Sequence, residues 1–352
     1  MYNNILVTGG AGYIGSHVVL GLKEAELNPI VLDNLSRGNE RVVNSILKVP
    51  MIVGDIGDKK LVKNILKGNH EKLNGLKIDA VMHFAAFTYV DESIKDPMMY
   101  FQNNVEKSLN LINNIVNENS HREKMGISKI PIIFSSSCAT YGIPKDLPIT
   151  ENTMQSPIHP YGRSKLIIEN VLLDYAKAYN LSSVIYRYFN AAGCDPNGLI
   201  GEDHDPETHL IPRAFQAITN KKDILQIFGD DYDTKDGSCV RDYIHVSDLA
   251  EAHILGLDFI YKKSKSKNNI VCEAFNLGNG SGYSVKEVIK KVENISNKKV
   301  PTSLVKRRHG YPPILFASSK KAEKLLGWNP KYKDLNSIIS HTWKWFQKKS
   351  VN

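Results

Sequence analysis

Short apolar runs alternate with stretches of helical periodicity through the first half of the chain. The runs fall at residues 4–8, 29–33, 50–54, 79–84, 130–135 and 183–188, each about the length of a buried strand. Between them apolar residues recur three and four apart, as at Ile14, Val18, Val19 and Leu22, marking one face of a helix. Runs apolar throughout, rather than at every second position, belong to strands covered on both sides. The alternation predicts βαβ crossovers and an α/β fold with a doubly wound, Rossmann-type parallel sheet. A long helix is expected from Ser93 to Val116. The polar stretch 117–129 after it reads as a surface loop.

Beyond about residue 190 the pattern changes. Glycine and proline become frequent, and strands appear singly, at Leu225–Phe228 and Ala274–Leu277. Helical periodicity returns near 209–219, 247–260, 284–295, 317–326 and 335–347. This predicts two lobes. Residues 1–189 form the nucleotide-binding domain, and 190–352 a mainly substrate-binding lobe, some of whose elements return to the first. A ligand then lies in the crevice at the carboxyl ends of the sheet strands.

The first strand runs directly into Thr8-Gly9-Gly10-Ala11-Gly12-Tyr13-Ile14-Gly15. Gly9, Gly12 and Gly15 let the backbone turn tightly and approach a ligand, while the helix that starts there offers N–H groups to a pyrophosphate. Asp33 ends the second strand, where a carboxylate suits the adenosine ribose of a dinucleotide. Asp55 and Ile56 follow the third strand and could flank an adenine ring. Phe84, Ala85 and Ala86 follow the fourth, small enough at the alanines for the chain to pass beneath a cofactor.

The fifth strand ends in Ser135-Ser136-Ser137. Downstream, His159-Pro160-Tyr161-Gly162-Arg163-Ser164-Lys165 opens a helix, since proline suits a first turn. Tyr161 and Lys165 then share a face. Such a set supports proton transfer at an alcohol while hydride moves, with Ser137 bonding the same oxygen. A phenol near pKa 10 must drop by roughly 3 units, or about 4 kcal/mol, to act as a base near neutrality. A nearby ammonium and a positively charged nicotinamide favour the anion. Tyr261 and Lys265 repeat the spacing in a polar segment with no serine-rich strand end before it.

Composition narrows the classes. The fractions of 42% hydrophobic and 23% charged residues suit a soluble globular protein. There is neither room for a leader before the first strand nor an apolar run of membrane-spanning length, so a cytoplasmic protein is expected. The net charge of +8 comes without a basic stripe interleaved with aromatics, which argues against a nucleic-acid partner. Cys138, Cys194, Cys239 and Cys272 show no disulfide or metal spacing. Cys138 reads as a buried thiol and His159 as a loop histidine. Asp203, His204, Asp205 and His209 read as polar loop, and no metal is expected. Arg241 and Arg308 have the planar fork that suits a diphosphate. Asp242, His245 and Asp248 read as structural.

Taken together, Thr8 to Gly15, Asp33-Asn34-Leu35, Asp55-Ile56, Ser135 to Ser137, Tyr161-x-x-x-Lys165, Arg187-Tyr188-Phe189-Asn190 and Arg241 to Val246 resemble the extended short-chain dehydrogenase/reductases. The likeness is closest to the UDP-glucose 4-epimerase family within them, and spans residue 3 to about 346. It implies a tightly held NAD and interconversion of UDP-glucose and UDP-galactose. Tyr161 takes the sugar 4-OH proton as hydride leaves C4, the 4-keto sugar turns, and hydride returns to its other face. It further implies that Tyr13, Ile14, Asp33, Asn34, Asp55, Ile56, Phe84, Ala85, Asn103, Lys165 and Phe189 contact NAD, with Asp33 disfavouring NADP. Asn190, His209, Leu210, Gln226, Phe228, Arg241 and Arg308 fall where relatives hold the UDP-sugar. Leu315 stands where bulk limits the sugar 2-substituent, leaving room for an N-acetyl group. Helices near 93–116 and 161–179 resemble those that pair in family homodimers. Thr88 and Tyr311 depart from the family pattern, which often has lysine and aspartate there.

Rival readings are an epimerase for N-acetylated hexoses or for xylose and arabinose, a sugar-nucleotide dehydratase or decarboxylase, a net oxidoreductase that exchanges NAD freely, and an NAD-sensing module. Dehydratases and decarboxylases need an added acid–base or carboxylate-handling residue just after the serine-rich strand, where Cys138-Ala139-Thr140 offers none. A sensing module would have no use for Tyr161 and Lys165.

Overall fold

The computed structural model describes residues 2–220, 223–265, 270–307 and 312–349. Its main sheet has seven strands, all parallel. Six come from the first half: β1 (Asn4–Thr8), β2 (Asn28–Asp33), β3 (Met51–Val53), β4 (Ala80–His83), β5 (Ile132–Ser137) and β6 (Ser183–Tyr188). The seventh, Cys272–Leu277, returns from the second half to pair with β6, giving the order Cys272–Leu277, β6, β5, β4, β1, β2, β3. The order reverses at β1, so the strand ends of β1 and β4 open a crevice at their carboxyl side.

Both faces of the sheet are covered, as its apolar runs require. Ile5, Val7 and Val31 face one core with Val18, Val19 and Leu22 of α1 (Tyr13–Glu24). Leu6, Ile30 and Leu32 face the other, against Val62 and Ile65 of α2 (Lys59–Leu66). Successive strand residues point to opposite faces, so an apolar run is needed where both are buried.

The expected helix 93–116 is broken instead. It consists of α3 (Val90–Lys95), α4 (Pro97–Phe101), a π-helical turn Gln102–Glu106 and α5 (Lys107–Lys124). Pro97 has no N–H to continue α3, and the Asp96 carboxylate caps the new start by accepting from the Met99 N–H at 3.0 Å.

The expected loop 117–129 is helical as far as Lys124, and three of its polar residues are buried. Asn119 accepts from the Ile130 N–H at 2.6 Å and donates to the Ile130 carbonyl at 2.9 Å. Arg122 pairs with Glu118 at 3.1 Å and donates to the carbonyls of Ile78, Leu66 and Ser128. These side chains satisfy backbone groups at the foot of the sheet, where an unpaired carbonyl would be costly.

Helix α6 (Pro160–Tyr179) leads into β6 and packs on the Leu6 face; after β6 come α7 (Leu210–Thr219), α8 (Val246–Lys265), α9 (Val285–Ser296), α10 (Lys320–Leu326) and α11 (Leu335–Lys349). Helix α8 covers the α1 face of the main sheet and carries Tyr261 and Lys265 in its last turns, not in a loop. Helices α7, α9 and α11 build a third core, in which Phe215 stacks on Trp343 at 5.0 Å. Among the described residues no helix is long and apolar enough to cross a membrane.

Four buried histidines tie pH to stability. His83 bonds Thr8 Oγ1 through Nδ1 at 2.7 Å and Ser108 Oγ through Nε2 at 2.9 Å. Burial pushes its pKa down to about 3, and lowers His17 and His253 to about 4 and His245 to about 3. Each therefore stays neutral when folded but charges when unfolded as pH falls below about 6.5. The unfolded chain binds more protons there, so stability declines as pH drops. Urea midpoints are expected to fall steadily from pH 6.5 to pH 4. A flat profile would show that these imidazoles do not govern acid stability.

Candidate active site

The glycine turn between β1 and α1 forms the floor of the crevice. Gly9 has φ of +72°, and a Cβ there would lie 2.5 Å from the Ala85 backbone nitrogen. A Cβ on Gly15 would lie 2.2 Å from the Gly9 carbonyl oxygen. Helix α1 starts with Gly12 at its N-cap and no side-chain cap, which leaves its dipole end to an anion. Asp33 stands at the tip of β2, accepting from the Ala11 N–H at 3.0 Å and the Leu35 N–H at 2.8 Å. Burial raises its pKa, and those two bonds oppose the rise.

A cleft with about 570 Å³ of empty space is lined by Gly9, Gly12, Asp33, Asn34, Asp55, Ile56, Phe84, Ala85, Ala86 and Asn103. These ten of the expected nucleotide-contacting residues are together, while Tyr13, Ile14, Gly15, Lys165 and Phe189 lie outside the cleft lining. Burial of Asp55 would raise its pKa, but Lys107 at 2.6 Å, the Gly57 N–H and Asn34 hold it below the usual range. Tyr13 sits behind the turn with its hydroxyl on the Gly193 carbonyl at 2.6 Å, and its pKa is pushed up by burial. A cradle closed to side chains, a dipole end and a ribose-facing carboxylate fit a dinucleotide such as NAD.

Among the lining residues that the sequence analysis did not name are Ser36, Arg37 and Phe87. The Arg37 guanidinium pairs with Glu92 at 2.6 Å and lies over the rings of Phe87 and Tyr89. Contacts across 50 residues or more, to Phe87, Tyr89 and Glu92, place it, and no local pattern signals them. Asn104 fixes Phe87 by bonding both its N–H and its carbonyl. Asn103 donates in turn to Asn104 at 3.1 Å.

The Gly15→Ala substitution isolates the turn. Alanine is the better helix former by about 1 kcal/mol, so any loss must come from the clash with Gly9. Purified variant is expected to carry at most a tenth of the bound dinucleotide of the parent, read by absorbance after denaturation. Equal content would show that the turn has slack.

The serine-rich end of β5, the strand beside β4, meets the start of α6 at the same carboxyl edge of the sheet. Tyr161 is 9% exposed and lies beside Ser137, whose Oγ accepts from the Ala139 N–H at 3.2 Å. Lys165 is 3% exposed; its Nζ donates to the Ser135 carbonyl at 2.7 Å and lies 5.0 Å over the Phe134 ring. Tyr161 and Lys165 share one face of α6 and are both buried. Burial pushes Tyr161 up to about 12, eased by Ser137, and pushes Lys165 down to about 7, opposed by Glu169. The ammonium is directed at a carbonyl, and its own charge is weakened by burial.

Cys138 is raised to about 12 by burial, and His159 caps α6 by accepting from the Gly162 N–H at 3.1 Å. Neither is poised for nucleophilic chemistry. Behind them Glu169, Arg187, Ser136, Gln155 and Tyr141 form a buried network. The sequence reading used Arg187 only as part of a motif and missed Glu169, one helical turn beyond Lys165.

On the second-lobe side, Arg241 lies on a short strand, Val240–Arg241, paired with Ile314–Leu315. Its Nη1 donates to the Val240 carbonyl at 2.8 Å, while Nη2 is buried and has no hydrogen-bond partner among the described residues. A buried donor of that kind calls for an acceptor from a ligand. Leu315 is 7% exposed and packs with Phe189, Tyr141, Ile149 and Ala317. Phe189 is thus part of that small cluster. Asn190 opens the bridge Asn190–Ala192 beside Tyr243–His245. Gln226 and Phe228 lie on Leu225–Phe228, parallel to Thr302–Val305. His209 is the N-cap residue of α7, directly before Leu210, and bonds Glu202. Arg308 and Tyr311 lie outside the described residues. Asp242 accepts from the N–H groups of Asn279, Gly280 and Ala317, and Asp248 from those of Lys331 and Tyr332, as structural residues do.

The family model described as GDP-mannose 4,6 dehydratase matches residues 6–342. A UDP-glucose 4-epimerase of Halalkalibacterium halodurans is 45% identical over 97% of this chain and 95% of its own. The solved UDP-glucose 4-epimerase of Brucella ovis, in complex with NAD, is 43% identical, with a TM-score of 0.86 over 96% of this chain and 97% of that one. The UDP-Glc/GlcNAc 4-epimerase of Campylobacter jejuni is 38% identical, with a TM-score of 0.77 over 98% of this chain and 99% of that one.

Proposed function

The chain belongs to the GDP-mannose 4,6 dehydratase family, and from that premise we infer that it is an isomerase: an NAD-dependent epimerase interconverting UDP-glucose and UDP-galactose at C4. The observation that carries this reading is the presence of Tyr161, Ser137 and Lys165 at the same carboxyl edge of the sheet as the dinucleotide cleft, in a chain at 45% identity to a named epimerase. Bound NAD supplies reversible hydride acceptance at the sugar C4. Gly9, Gly12, Tyr13, Ile14 and Gly15 hold its phosphates, Asp33 and Asn34 its ribose, and Asp55 and Ile56 its adenine. Phe84, Ala85, Ala86, Asn103, Lys165 and Phe189 line the remainder of its path.

Tyr161 removes the 4-OH proton and later returns it, and Ser137 steadies the same oxygen. Arg241 binds the diphosphate through its unpartnered Nη2. Asn190, His209, Leu210, Gln226, Phe228 and Arg308 complete the UDP-sugar contacts. A dehydratase needs an added acid–base residue just after β5. The residues there are Cys138, Ala139 and Thr140, which leaves epimerisation favoured.

The boundary near residue 190 separates a cofactor lobe from a sugar lobe, and supporting it is the separate core of α7, α9 and α11. A homodimer through α3–α4 and α6 is supported by the exposed Ile94, Met98, Ile167 and Leu173 on those helices. Four free cysteines suit the reducing cytoplasm.

Protein purified without added NAD is to be incubated with each UDP-sugar and the products separated. UDP-glucose and UDP-galactose are expected to reach the same mixture from either side with no net NADH. Dependence on added NAD with stoichiometric NADH would make it a net oxidoreductase. UDP-N-acetylglucosamine is expected to turn over as well, because Leu315 is smaller than a tyrosine. Leu315→Tyr is expected to cut that activity at least tenfold and spare UDP-glucose. Equal loss on both substrates would remove Leu315 as the discriminating residue.

A further inference from the structure

The loop leading into α7 carries the pattern Glu202-x-His204-x-x-Glu207-x-His209. It folds so that one ligand atom from each of the four lies within 4.8 Å of the others. Two are residues the sequence reading passed over in favour of Asp203 and Asp205; Asp203 instead bonds Lys349. Glu202 is 3% exposed, an expensive place for a carboxylate unless the His204 and His209 imidazoles beside it are charged or a cation joins them. Its Oε1 lies 3.3 Å from His204 Nδ1, and Glu207 Oε2 lies 3.6 Å from that same nitrogen. His204 Nδ1 is nonetheless buried without a hydrogen bond of acceptable geometry.

Those two spacings suit a shared cation, and His209 Nδ1, which hydrogen-bonds Glu202 Oε1 directly, would part from it to join the same ion. With bonds of about 2.1 Å, tetrahedral ligands around Zn²⁺ stand about 3.4 Å apart. Glu207 is already divided for the purpose: its Oε1 accepts from the Thr208 and His209 N–H groups, leaving Oε2 facing His204. The His204 and His209 rings are nearly perpendicular, 5.3 Å apart, so their nitrogens can converge without stacking. The Tyr13 and Tyr89 rings stand edge-on to His204 and wall the site. Two imidazoles and two carboxylates balance a dication and favour a borderline metal over the all-oxygen preference of Ca²⁺ or Mg²⁺.

We propose that Glu202, His204, Glu207 and His209 form a closed structural site for one divalent transition-metal ion, with Zn²⁺ the best fit. The ion clamps the loop between the glycine turn and the start of α7. It has no part in the hydride chemistry but shares His209 with the proposed UDP-sugar contacts, so its test reads metal uptake rather than turnover.

The test uses the NAD-loaded protein, stripped with a chelator and titrated with Zn²⁺ by calorimetry and with Co²⁺ by visible absorption. One ion per chain, tetrahedral Co²⁺ bands and a rise in Tm are expected. Glu207→Gln retains the acceptor for the two N–H groups, and His204→Asn leaves Glu202 in place. Each is expected to weaken Zn²⁺ binding at least tenfold while circular dichroism and bound NAD stay as in the parent. Parent protein that takes up neither ion, or variants that bind both as tightly as the parent, would overturn the site and leave an imidazole–carboxylate network in its place.

Discussion

Tyr161→Phe is expected to lower kcat for UDP-glucose by about 10²–10⁴-fold, the range of a positioned general base, with NAD content and KM little changed. The substitution removes one oxygen from a side chain that is already 9% exposed and packed against His159 at 6.0 Å. The ring therefore keeps its place. What is lost is the proton acceptor beside Ser137.

The demand on that acceptor is larger than the sequence alone suggests. Burial holds the phenol at about 12, so a base working near neutrality needs a drop of about 5 units, on the order of 7 kcal/mol. Lys165 cannot supply all of it, because its Nζ is engaged by the Ser135 carbonyl and its own pKa is about 7. The remainder must come from positive charge and hydrogen bonding that arrive with NAD and substrate. Phenol acidity is thus expected to appear only in the loaded enzyme: the Tyr161 titration, followed by ultraviolet difference absorbance against the Tyr161→Phe protein, should move to lower pH with NAD⁺ bound. A phenylalanine variant retaining parental turnover would remove Tyr161 from the reaction.

Glu169→Ala is expected to cost about 3–5 kcal/mol of stability, the usual cost of breaking a buried pair from one side. Arg187 holds Glu169 as a fork, with Nη2 to Oε2 at 2.7 Å and Nε to Oε1 at 3.1 Å, at side-chain exposures of 8% and 1%. Ser136 and Gln155 donate to the same carboxylate. Alanine would leave a guanidinium with only Tyr141, Gln155 and a carbonyl as partners in the interior. The measurement is a urea midpoint at constant m-value. Glu169→Leu with Arg187→Met removes both charges and is expected to recover most of the loss. A single variant losing under 1 kcal/mol would mean that water reaches the arginine. Because this network ties β5 and β6 to the helix bearing Tyr161 and Lys165, activity in Glu169→Ala should fall more steeply with temperature than in the parent.

The lobes and the site differ in how much of them the sequence made legible. Apolar runs and helical spacing placed six sheet strands and the helices near Tyr13, Pro160, Leu210, Val285 and Leu335 close to their observed bounds. The glycine turn, Asp33 and the Tyr161–Lys165 pair were equally plain, because each is a local arrangement with chemistry in its own few residues. Where local pattern misled, a distant partner was the reason. Residues 117–124 look like loop by composition, yet Asn119 and Arg122 are helical and buried because Ile130, Ile78 and Leu66 present backbone groups to them.

The sequence by itself determined that this protein would be a parallel α/β sheet with a dinucleotide turn and a tyrosine–lysine pair. Backbone conformation at a turn or helix start depends on neighbours in the chain. Only the tertiary structure decided the high phenol of Tyr161, the partnerless Nη2 of Arg241, the Glu169–Arg187 fork and the convergence of Glu202, His204, Glu207 and His209. Each of those depends on which charges are withdrawn from water together, a property of packing between segments far apart along the chain, or of a loop's closure, that residue spacing does not encode.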